Sequence, residues 1–460
     1  MTLQEYLGSL RNKTVAVIGI GVSNTPLLRL LLANGIDVTA CDKRERDDLG
    51  ALADELEREG AKLQLGEDYL EGLDQDVIFR TPGMRPDVPQ LLRAKEQGSV
   101  ITSEMEVFFD VCPCSIIAVT GSDGKTTTTT MIAELLRAAG RTVHVGGNIG
   151  NPLLAQAGEM NPDDSVVLEL SSFQLMTMQK SPHIAVVTNL SPNHLDMHKG
   201  MEEYVASKEN LFIHQSAADI AIFNLDNDIT REQGTRAVGE VRYFTRHAET
   251  ENGVFLRGDE IIRRKNGKES VVMTVQDIKL PGIHNVENYM AAIAAVEDLV
   301  EDETIRQFAR TFGGVEHRIE LVRTLRGVRY YNDSIASSPS RTIAGLRSFK
   351  EKVILIAGGY DKKIPFDVLG PEVVEHVKLL ILCGATAEKI RDAVVNAPEY
   401  QPGKPEILMV SPFQKAVETA RDRAEEGDVV TLSPACAAFD QFKNFMERGK
   451  TYKAIVNSWE

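Results

Sequence analysis

The segment of this chain best suited to chemistry is a short glycine-rich loop made of Gly121, Ser122, Asp123, Gly124, Lys125, Thr126 and Thr127. Gly121 and Gly124 allow backbone N–H groups to turn toward an anion without a clash from a Cβ atom. Lys125 supplies a positive charge, and the threonines after it supply hydroxyl groups suited to Mg²⁺. The strict phosphate-loop pattern is not met, because Val119 occupies the position of its first glycine. The loop predicts binding of ATP or GTP.

A strand and a helix are predicted on either side of this loop. The apolar, β-branched run 115–120 is typical of a buried strand. Residues 126–139 predict a helix that stops at Gly140, with its N-terminus directed at bound phosphates. The alternative is an ordinary polar turn between a strand and a helix.

Two further candidate groups follow predicted strands. Glu169 ends the apolar run 165–170, and a buried carboxylate there would need a cation such as Mg²⁺. The alternative is a solvated glutamate at a strand end. His194 and His198 have a zinc-like spacing, but no glutamate accompanies them and turn residues precede them. We favour His194 as a ligand of Mg²⁺ or its waters over a plain surface histidine, and we interpret His198 as a surface histidine.

Lys208 and an asparagine pair lie on predicted helices. A helical lysine such as Lys208 is usually exposed. Asn285 and Asn288 share one face at the start of a helix predicted over 288–300, where they could contact the edge of a base. The alternative for this pair is a helix cap with one surface asparagine.

Composition bounds the class of protein. A chain of 460 residues predicts roughly three domains. Its net charge of −16 argues against a nucleic-acid surface. No apolar run approaches the ~20 residues of a membrane span, and the first residues lack an apolar signal core. Five cysteines do not make a disulfide framework. We therefore expect a reduced, cytoplasmic protein.

Strand and helix patterns alternate along the whole chain, which predicts an α/β fold with parallel sheets. A β-rich excursion is predicted over 251–277, and two further α/β regions flank the central one. The loop 19–24, with Asp42 about 20 residues on, resembles a dinucleotide fingerprint. Asn24 replaces its third glycine, so the loop indicates a nucleotide without identifying it. The expected domains are 1–104, 105–314 and 315–460.

The order of these motifs resembles that of the Mur ligases. The matching blocks are TGSDGKTT, GGNIGNP, LELSSFQL, TNLSPNHLDMH, YVASKENLF, GIHNVENYMAA, EHRIE, YYNDS and LSPACAAFDQFKNFMERG. They cover nearly the whole chain, and the last is most specific to members that add D-glutamate to UDP-N-acetylmuramoyl-L-alanine. The resemblance implies three domains: a Rossmann-like UDP-binding domain, a central ATPase domain and a Rossmann-like C-terminal domain that binds the amino acid.

The resemblance also implies ATP, two Mg²⁺ ions and a set of site residues. Catalytic roles fall on Lys125, Glu169, His194 and Lys208. The metal side comprises Thr126, Glu169, His194 and Lys208, the last carbamylated and so converted into an oxygen ligand. ATP contacts are implied for the loop residues Gly121, Ser122, Asp123, Gly124, Lys125, Thr126 and Thr127, and for Asn285, Asn288, Arg318 and Asp333.

Substrate contacts follow from the same resemblance. The UDP substrate is assigned to Ile20, Gly21, Val22, Ser23, Asp42, Lys43, Pro82, Gly83, Asn148 and Gln174. The amino acid is assigned to Ser337, Lys362 and Phe445. We expect these small molecules as the partners of a monomer.

Two positions depart from the family pattern. Ile335 stands where many relatives have a lysine, and Ala438 where some have a serine that contacts the side-chain carboxylate of the amino acid. Arg341 could replace the lost lysine. These differences change the predicted contacts to the amino acid.

Three other functions stay open at this stage. One is a sister ligase that adds L-alanine, a diamino acid, or glutamate to folate; the UDP-type loops argue against the folate enzyme. Another is a regulatory ATPase that hydrolyses ATP without an acceptor. The third is a nicotinamide oxidoreductase, which rests on Gly19 and Gly21 alone.

Overall fold

The computed structural model describes residues 1–21, 24–150, 152–192, 198–280, 282–361 and 365–460. The chain divides into two compact units, Met1–Thr311 and Phe312–Glu460. The first unit holds two sheets and the second holds one.

The first sheet of unit 1 is parallel, with its strands in the order β3-β2-β1-β4-β5. The strands are β1 Thr14–Ile18, β2 Asp37–Asp42, β3 Lys62–Leu65, β4 Val77–Phe79 and β5 Val100–Thr102. The accompanying helices are α1 Leu3–Leu10, α2 Thr25–Ala33, α3 Arg46–Leu49, α4 Ala51–Arg58, α5 Pro89–Glu96 and α6 Glu104–Val111. The strand order reverses at β1, and ligands of such sheets bind beyond the carboxyl ends of the strands at this point.

The second sheet of unit 1 has the order β14-β13-β12-β11-β10-β9-β6-β8-β7. Its strands are β6 Ser115–Thr120, β7 Val143–Gly147, β8 Ser165–Glu169, β9 Ile184–Val187, β10 Ile220–Asn224, β11 Glu240–Thr245, β12 Gly253–Arg257, β13 Glu260–Lys265 and β14 Lys268–Thr274. Neighbouring strands pair in parallel along the order β7-β8-β6-β9-β10-β11-β12, whereas β12, β13 and β14 form an antiparallel meander. The meander corresponds to the β-rich excursion predicted over 251–277.

Helices cover this second sheet. They are α7 Lys125–Ala138, α8 Ser172–Leu175, α9 Met201–Glu209, α10 Asp228–Gly234, α11 Ile283–Val296 and α12 Asp302–Thr311. The residues of β8 and β9 are all buried, as the unbroken apolar runs of a sheet covered on both faces require. The phosphate loop, Glu169 and Thr188 therefore follow the carboxyl ends of adjacent strands.

Unit 2 has one sheet, with the order β15-β16-β20-β17-β18-β19. Its strands are β15 Glu320–Leu325, β16 Val328–Asn332, β17 Val353–Ala357, β18 Val377–Leu382, β19 Glu406–Met409 and β20 Val429–Leu432. Its helices are α13 Pro339–Leu346, α14 Leu369–His376, α15 Ala387–Val395, α16 Phe413–Arg423 and α17 Phe445–Asn457. The edge strand β15 is antiparallel to β16, and the other pairs are parallel.

The mixed α/β class with parallel sheets is confirmed. One boundary is wrong: the helix predicted over 288–300 is α11, which begins at Ile283 and ends at Val296. Gly282 precedes it with a φ of 103°, a left-handed conformation that suits glycine and sets the start earlier than the asparagine spacing suggested. Among the residues that the structure describes, no helix is long and apolar enough to cross a membrane. The five cysteines form no disulfides.

Candidate active site

Neighbouring residues pack so closely against the phosphate loop that two of its positions accept only glycine. Gly121 has a φ of 148°, and an added Cβ would lie 1.9 Å from the Thr188 hydroxyl oxygen. Gly124 has a φ of 78°, and its Cβ would lie 2.5 Å from Oδ1 of Asn288. Both positions combine a left-handed backbone with an occupied Cβ site, which only glycine tolerates.

Polar side chains from the loop after β9 also hold the phosphate loop. The Thr188 hydroxyl donates to the Asp123 carbonyl at 2.6 Å, and Oδ1 of Asn189 accepts from the Asp123 N–H at 3.0 Å. The Ser122 N–H donates to the Asn189 carbonyl at 2.8 Å. Sequence reasoning missed Thr188 and Asn189 as loop supports, although both stand in the block TNLSPNHLDMH.

Lys125, the first residue of α7, folds its side chain back over the loop. Its ammonium donates to the carbonyls of Gly121 and Ser122, each at 2.9 Å. Thr126 and Thr127 follow on the first turn, half-buried. A helix N-terminus and a cation thus lie at the same place, a favourable setting for phosphate.

Glu169, the last residue of β8, is buried and lies against this turn. Its Oε2 accepts from the Thr126 hydroxyl at 2.6 Å, and its Oε1 accepts from the Asn148 amide at 2.7 Å. Carboxylate and hydroxyl oxygens are ligands that suit Mg²⁺, which typically binds one or two carboxylates together with substrate phosphates. Among the described residues, no group of three or more His, Cys, Asp or Glu side chains forms a ready-made metal cage.

Lys208 on α9 is also part of this cluster, so the expectation that a helical lysine is exposed is wrong here. The residue is 2% exposed. Its ammonium donates to the Thr120 hydroxyl and the Gly121 carbonyl, each at 3.0 Å, and lies 5.0 Å from the centre of the Tyr204 ring. Burial lowers the pKa of Lys208 well below its usual value, and the nearby positive charge of Lys125 lowers it further, against the opposing effect of Glu169. The setting favours the neutral amine.

The predicted asparagine pair does share one face of a helix. Nδ2 of Asn288 donates to Oδ1 of Asn285 at 3.1 Å, and Oδ1 of Asn288 accepts from the Thr128 hydroxyl at 3.3 Å. Both asparagines are buried on α11. The contact between Asn288 and the phosphate-loop helix places the pair beside the loop.

The predicted UDP-side residues of the first sheet gather at the end of β2. Asp42 is buried, and its Oδ2 accepts from the Ile20 N–H at 2.7 Å and from the Arg44 guanidinium at 2.8 Å. Hydrogen bonds from Arg44 and Ile20 lower the pKa of Asp42 despite its burial. Gly21 and Lys43 are exposed. Sequence reasoning missed Arg44, whose position two residues after Asp42 was the available signal.

Pro82 and Gly83 lie in the turn after β4. Arg80, which is buried, donates to the Thr81 and Pro82 carbonyls at 3.3 Å and to the Thr177 hydroxyl at 3.1 Å. This arginine links the turn to the region after α8. Gln174 on α8 is buried, and its side-chain oxygen accepts from the Ser171 N–H at 3.0 Å.

Some predicted site residues lie outside the part of the chain that the structure describes, and one interpretation is wrong. Val22, Ser23, His194 and Lys362 lie outside the described residues. The interpretation of His198 as a surface histidine is wrong, because its ring is fully enclosed and stacks on Phe173.

The predicted residues of unit 2 gather around the end of β16. Asp333 is buried, and its carboxylate accepts from the Ser433 hydroxyl at 2.7 Å and from the Ile319 N–H at 3.3 Å. Burial raises the pKa of Asp333 to about 7, an effect that the Ser433 bond opposes. Arg318 is exposed between His317 and Ile319, whose φ values of 66° and 46° are left-handed. Such backbone strain costs on the order of 1–3 kcal/mol per residue and clusters at functional sites.

Phe445 begins α17, and its carbonyl accepts from the Ser334 hydroxyl at 2.8 Å. Ser337 is half-buried after β16, and Arg341 reaches the Ile335 carbonyl at 3.4 Å. Sequence reasoning missed Arg448, which is 2% exposed and lies on the same helix as Phe445.

Comparison with known proteins places these sites in a family. The Mur ligase middle domain model matches residues 119–296, and the Mur ligase, glutamate ligase domain model matches residues 317–436. The UDP-N-acetylmuramoylalanine–D-glutamate ligase of Acetivibrio thermocellus is 54% identical, over 100% of this chain and 99% of the relative. The protein of the same name from Clostridium novyi is 52% identical, over 99% of each chain.

Solved structures agree on the fold. UDP-N-acetylmuramate-alanine ligase from Thermotoga maritima has a TM-score of 0.57 at 19% identity, covering 97% of this chain and 100% of that chain. A UDP-N-acetylmuramoyl-L-alanyl-D-glutamate–2,6-diaminopimelate ligase has a TM-score of 0.52 at 19% identity, covering 97% and 92%. With the full-length relatives, these matches show that the chain belongs to the Mur ligase family, in the group of the UDP-N-acetylmuramoylalanine–D-glutamate ligases.

Proposed function

We propose that this chain is an ATP-dependent ligase that adds D-glutamate to UDP-N-acetylmuramoyl-L-alanine in the synthesis of peptidoglycan precursors. The finer fold assignment follows: a Rossmann-like UDP-binding domain, a central ATPase domain and a Rossmann-like domain for the amino acid, with boundaries near residues 104 and 314. A cytoplasmic location and a monomeric state stay predictions.

One observation supports this function most strongly. The phosphate loop with Lys125, the carboxylate of Glu169 and the buried amine of Lys208 converge at one edge of the central sheet, in a chain 54% identical over its length to a D-glutamate ligase. Identity of 54% over the whole chain to a D-glutamate ligase argues against a regulatory ATPase or a nicotinamide enzyme.

The reaction we propose has two displacements. A carboxylate oxygen of the acceptor attacks the γ-phosphorus of ATP, the bond to the bridging oxygen breaks, and ADP leaves. The amine of D-glutamate then attacks the acyl carbon, loses a proton, and expels phosphate together with the former carboxylate oxygen. The chain's part is positioning and charge stabilisation, so no residue forms a covalent intermediate.

Lys125 and the loop amides hold the phosphates in this mechanism. The Lys125 ammonium bonds two loop carbonyls, and a rotation of its side chain would let it face a phosphate. Asn285 and Asn288, beside the loop, are the groups we assign to the adenine. Arg318 and Asp333 of unit 2 are assigned to ATP by family resemblance.

Thr126 and Glu169 are the residues that would hold Mg²⁺, with His194 as the family's further ligand. Mg²⁺, when bound, neutralises negative charge on the phosphoryl oxygens. An uncharged Lys208 amine can attack CO₂ through its nitrogen and release a proton, which leaves a carbamate. Its depressed pKa supports this modification, because only the neutral amine has the necessary lone pair.

The two organic substrates have separate sets of proposed contacts. The nucleotide sugar is assigned to the loops that contain Ile20, Gly21, Val22, Ser23, Asp42, Lys43, Pro82 and Gly83, with Arg44 added from the geometry and with Asn148 and Gln174 toward the muramoyl end. D-glutamate is assigned to Ser337, Lys362 and Phe445. Arg341, which reaches the Ile335 carbonyl, supplies the positive charge that Ile335 lacks.

Product analysis tests the proposal. The enzyme is incubated with ATP, Mg²⁺, UDP-N-acetylmuramoyl-L-alanine and either enantiomer of glutamate, and the product is identified by mass spectrometry. We expect one added glutamyl residue with D-glutamate, far less with L-glutamate, and one ADP per product. Lys125→Ala should abolish ADP formation, whereas Lys180→Ala, an exposed lysine paired with Asp110, should not change it. ADP formation that is independent of the acceptor would favour a regulatory ATPase instead.

A further inference from the structure

The ring of His198 is completely buried beside the phosphate loop, although nothing in the proposed reaction uses it. Its side chain is 0% exposed and lies just before α9, the helix that bears Lys208. An imidazole that is fully enclosed so near the proposed site of phosphoryl transfer requires a physical explanation.

Among the described residues, this ring contacts Ser172, Phe173, Glu203 and Tyr204. Nε2 lies 2.9 Å from the Ser172 hydroxyl, and Nδ1 lies 3.4 Å from Oε2 of Glu203. One face stacks on Phe173, with centroids 5.2 Å apart and planes within 8°. Tyr204 makes an edge contact at 5.4 Å and 75°. A displacement of the ring would change its edge contact with Tyr204.

Tyr204 connects this histidine to the phosphate loop. Its hydroxyl lies 2.9 Å from the Ser122 hydroxyl, and its ring faces the ammonium of Lys208 at 5.0 Å. Ser122 also accepts from the Ser191 N–H at 2.9 Å and lies 3.0 Å from the Ser191 carbonyl. A shift of the Tyr204 ring would therefore change its contacts with both the loop and Lys208.

Glu203 connects the same histidine to the first sheet. Both of its oxygens accept from Arg85, at 2.8 and 2.9 Å, in a bidentate pair. Hydrogen bonds from Arg85 lower the pKa of Glu203 to about 2, so the carboxylate is ionised at neutral pH. Arg85 stands two residues after Gly83, in the turn assigned to the nucleotide sugar. Bidentate arginine–carboxylate pairs hold a defined geometry.

We propose that His198 is a positioning residue that joins the turn around Pro82 and Gly83 to the phosphate loop, through Arg85 and Glu203 on one side and Tyr204 and Ser122 on the other. The inference rests on the proposed function only in that the two ends are the nucleotide-sugar and ATP sites. Its consequence is that the Arg85–Glu203 pair influences ATP affinity through His198.

Equilibrium binding of a fluorescent ATP analogue with Mg²⁺, in the absence of acceptor, measures this influence. We expect His198→Phe, which keeps the stack and removes both polar contacts, to weaken binding about fivefold or more, the lower end of typical coupling between sites. Tyr204→Phe should reproduce most of that loss. His198→Gln, which keeps one polar contact, should recover part of it.

A double variant tests the route. Glu203→Gln should weaken ATP binding in the native background and should cause no further loss in the His198→Phe background. Glu202→Gln makes the same change of charge at the exposed neighbouring residue and should leave ATP binding unchanged. Hydrogen exchange of the nucleotide-free protein should be faster at the loop amides 121–124 in His198→Phe and Tyr204→Phe, and unchanged in Glu202→Gln.

Native ATP affinity in His198→Phe, or additive losses in the double variant, would overturn the inference. If His198→Phe does not fold, the pair Glu203→Gln and Tyr204→Phe decides by the same criterion of additivity. Failure of the proposed function has a different signature: ATP binding would respond to these variants while no glutamyl product formed.

Discussion

Lys208 in the first unit and Arg448 in the second are both cations that are 2% exposed, but their surroundings differ. The Lys208 ammonium donates to the Thr120 hydroxyl and the Gly121 carbonyl and has another cation, Lys125, nearby. The Arg448 guanidinium donates to the Ser334 hydroxyl and to the carbonyls of Ser334, Ala437 and Cys436, at 2.9 to 3.1 Å. Burial lowers the pKa of Arg448 only to about 10, so it stays charged.

The contrast separates a lysine whose burial favours the neutral amine from an arginine that stays charged. An amine loses its proton when it is buried with few acceptors, and the lone pair that appears is nucleophilic. A guanidinium with four neutral acceptors keeps its charge and fixes the backbone around it. We infer that the first unit uses burial to make Lys208 chemically competent, and that the second uses it to hold the strand ends around Ser334 and Cys436.

The largest expected effect is that of replacing Lys208 on the rate of ADP formation. Lys208→Ala should reduce the rate of ADP formation by about 100-fold or more, because the charge-stabilising group is lost. Formate or acetate should restore part of the rate by replacing the carbamate oxygens, and native protein prepared with ¹³C-labelled CO₂ should show a carbamate signal by NMR. Lys125→Ala is the control that such acids should not rescue. Full activity of Lys208→Ala in bicarbonate-free buffer would remove the basis of the comparison.

An intermediate effect is expected on the structural cation. Arg448→Lys keeps the charge but cannot reach all four acceptors, and an unsatisfied buried carbonyl costs about 1–3 kcal/mol. We expect the free energy of unfolding to fall by that amount in denaturant titrations. Lys208→Met replaces an amine that has few acceptors with an apolar side chain of similar length, so it should lower this free energy much less. Equal losses in the two variants would show that both cations are structural.

A pH-dependent effect concerns Asp333, the buried carboxyl of unit 2. Its pKa of about 7 exceeds the ordinary value of 3.8, so the folded state holds a proton that the unfolded state has lost between these values. Stability should therefore fall as pH rises from about 4 to 7, by at most about 1.4 kcal/mol per pH unit, and level off above 7.

Comparison of native protein with Asp333→Asn isolates this contribution, because the amide does not titrate. The difference in unfolding free energy between the two proteins should vary with that slope in denaturant titrations at several pH values. A difference that is constant between pH 4 and 7 would mean that Asp333 is ionised throughout.

The sequence predicted the fold well where the pattern was local. The strand predicted over 115–120 has the same bounds as β6, because a short, apolar and mostly β-branched run favours a strand. The start of α11 was misplaced, since Gly282 sets it through a left-handed backbone that composition alone does not reveal. The left-handed φ values of His317 and Ile319, beside Arg318, could likewise not be predicted from composition.

The charged groups predicted from motifs and resemblance, Lys125, Glu169 and Lys208, lie together at the phosphate loop. The side chains that support them were not predicted. His198 was misinterpreted, because a histidine near turn residues gives no sign that Phe173 and Tyr204 will enclose it. Arg448 acts through contacts that depend on the tertiary fold, so spacing along the chain could not assign it, whereas Arg44 lies only two residues after Asp42.

The transfer of oxygen tests the central claim most directly. The acceptor UDP-N-acetylmuramoyl-L-alanine is labelled with ¹⁸O in its alanine carboxylate, and the phosphate released with D-glutamate is examined by mass spectrometry. Activation of the carboxylate by the terminal phosphoryl group predicts that each phosphate carries an ¹⁸O atom from the acceptor. Phosphate free of the label, formed together with the amide product, would contradict the account.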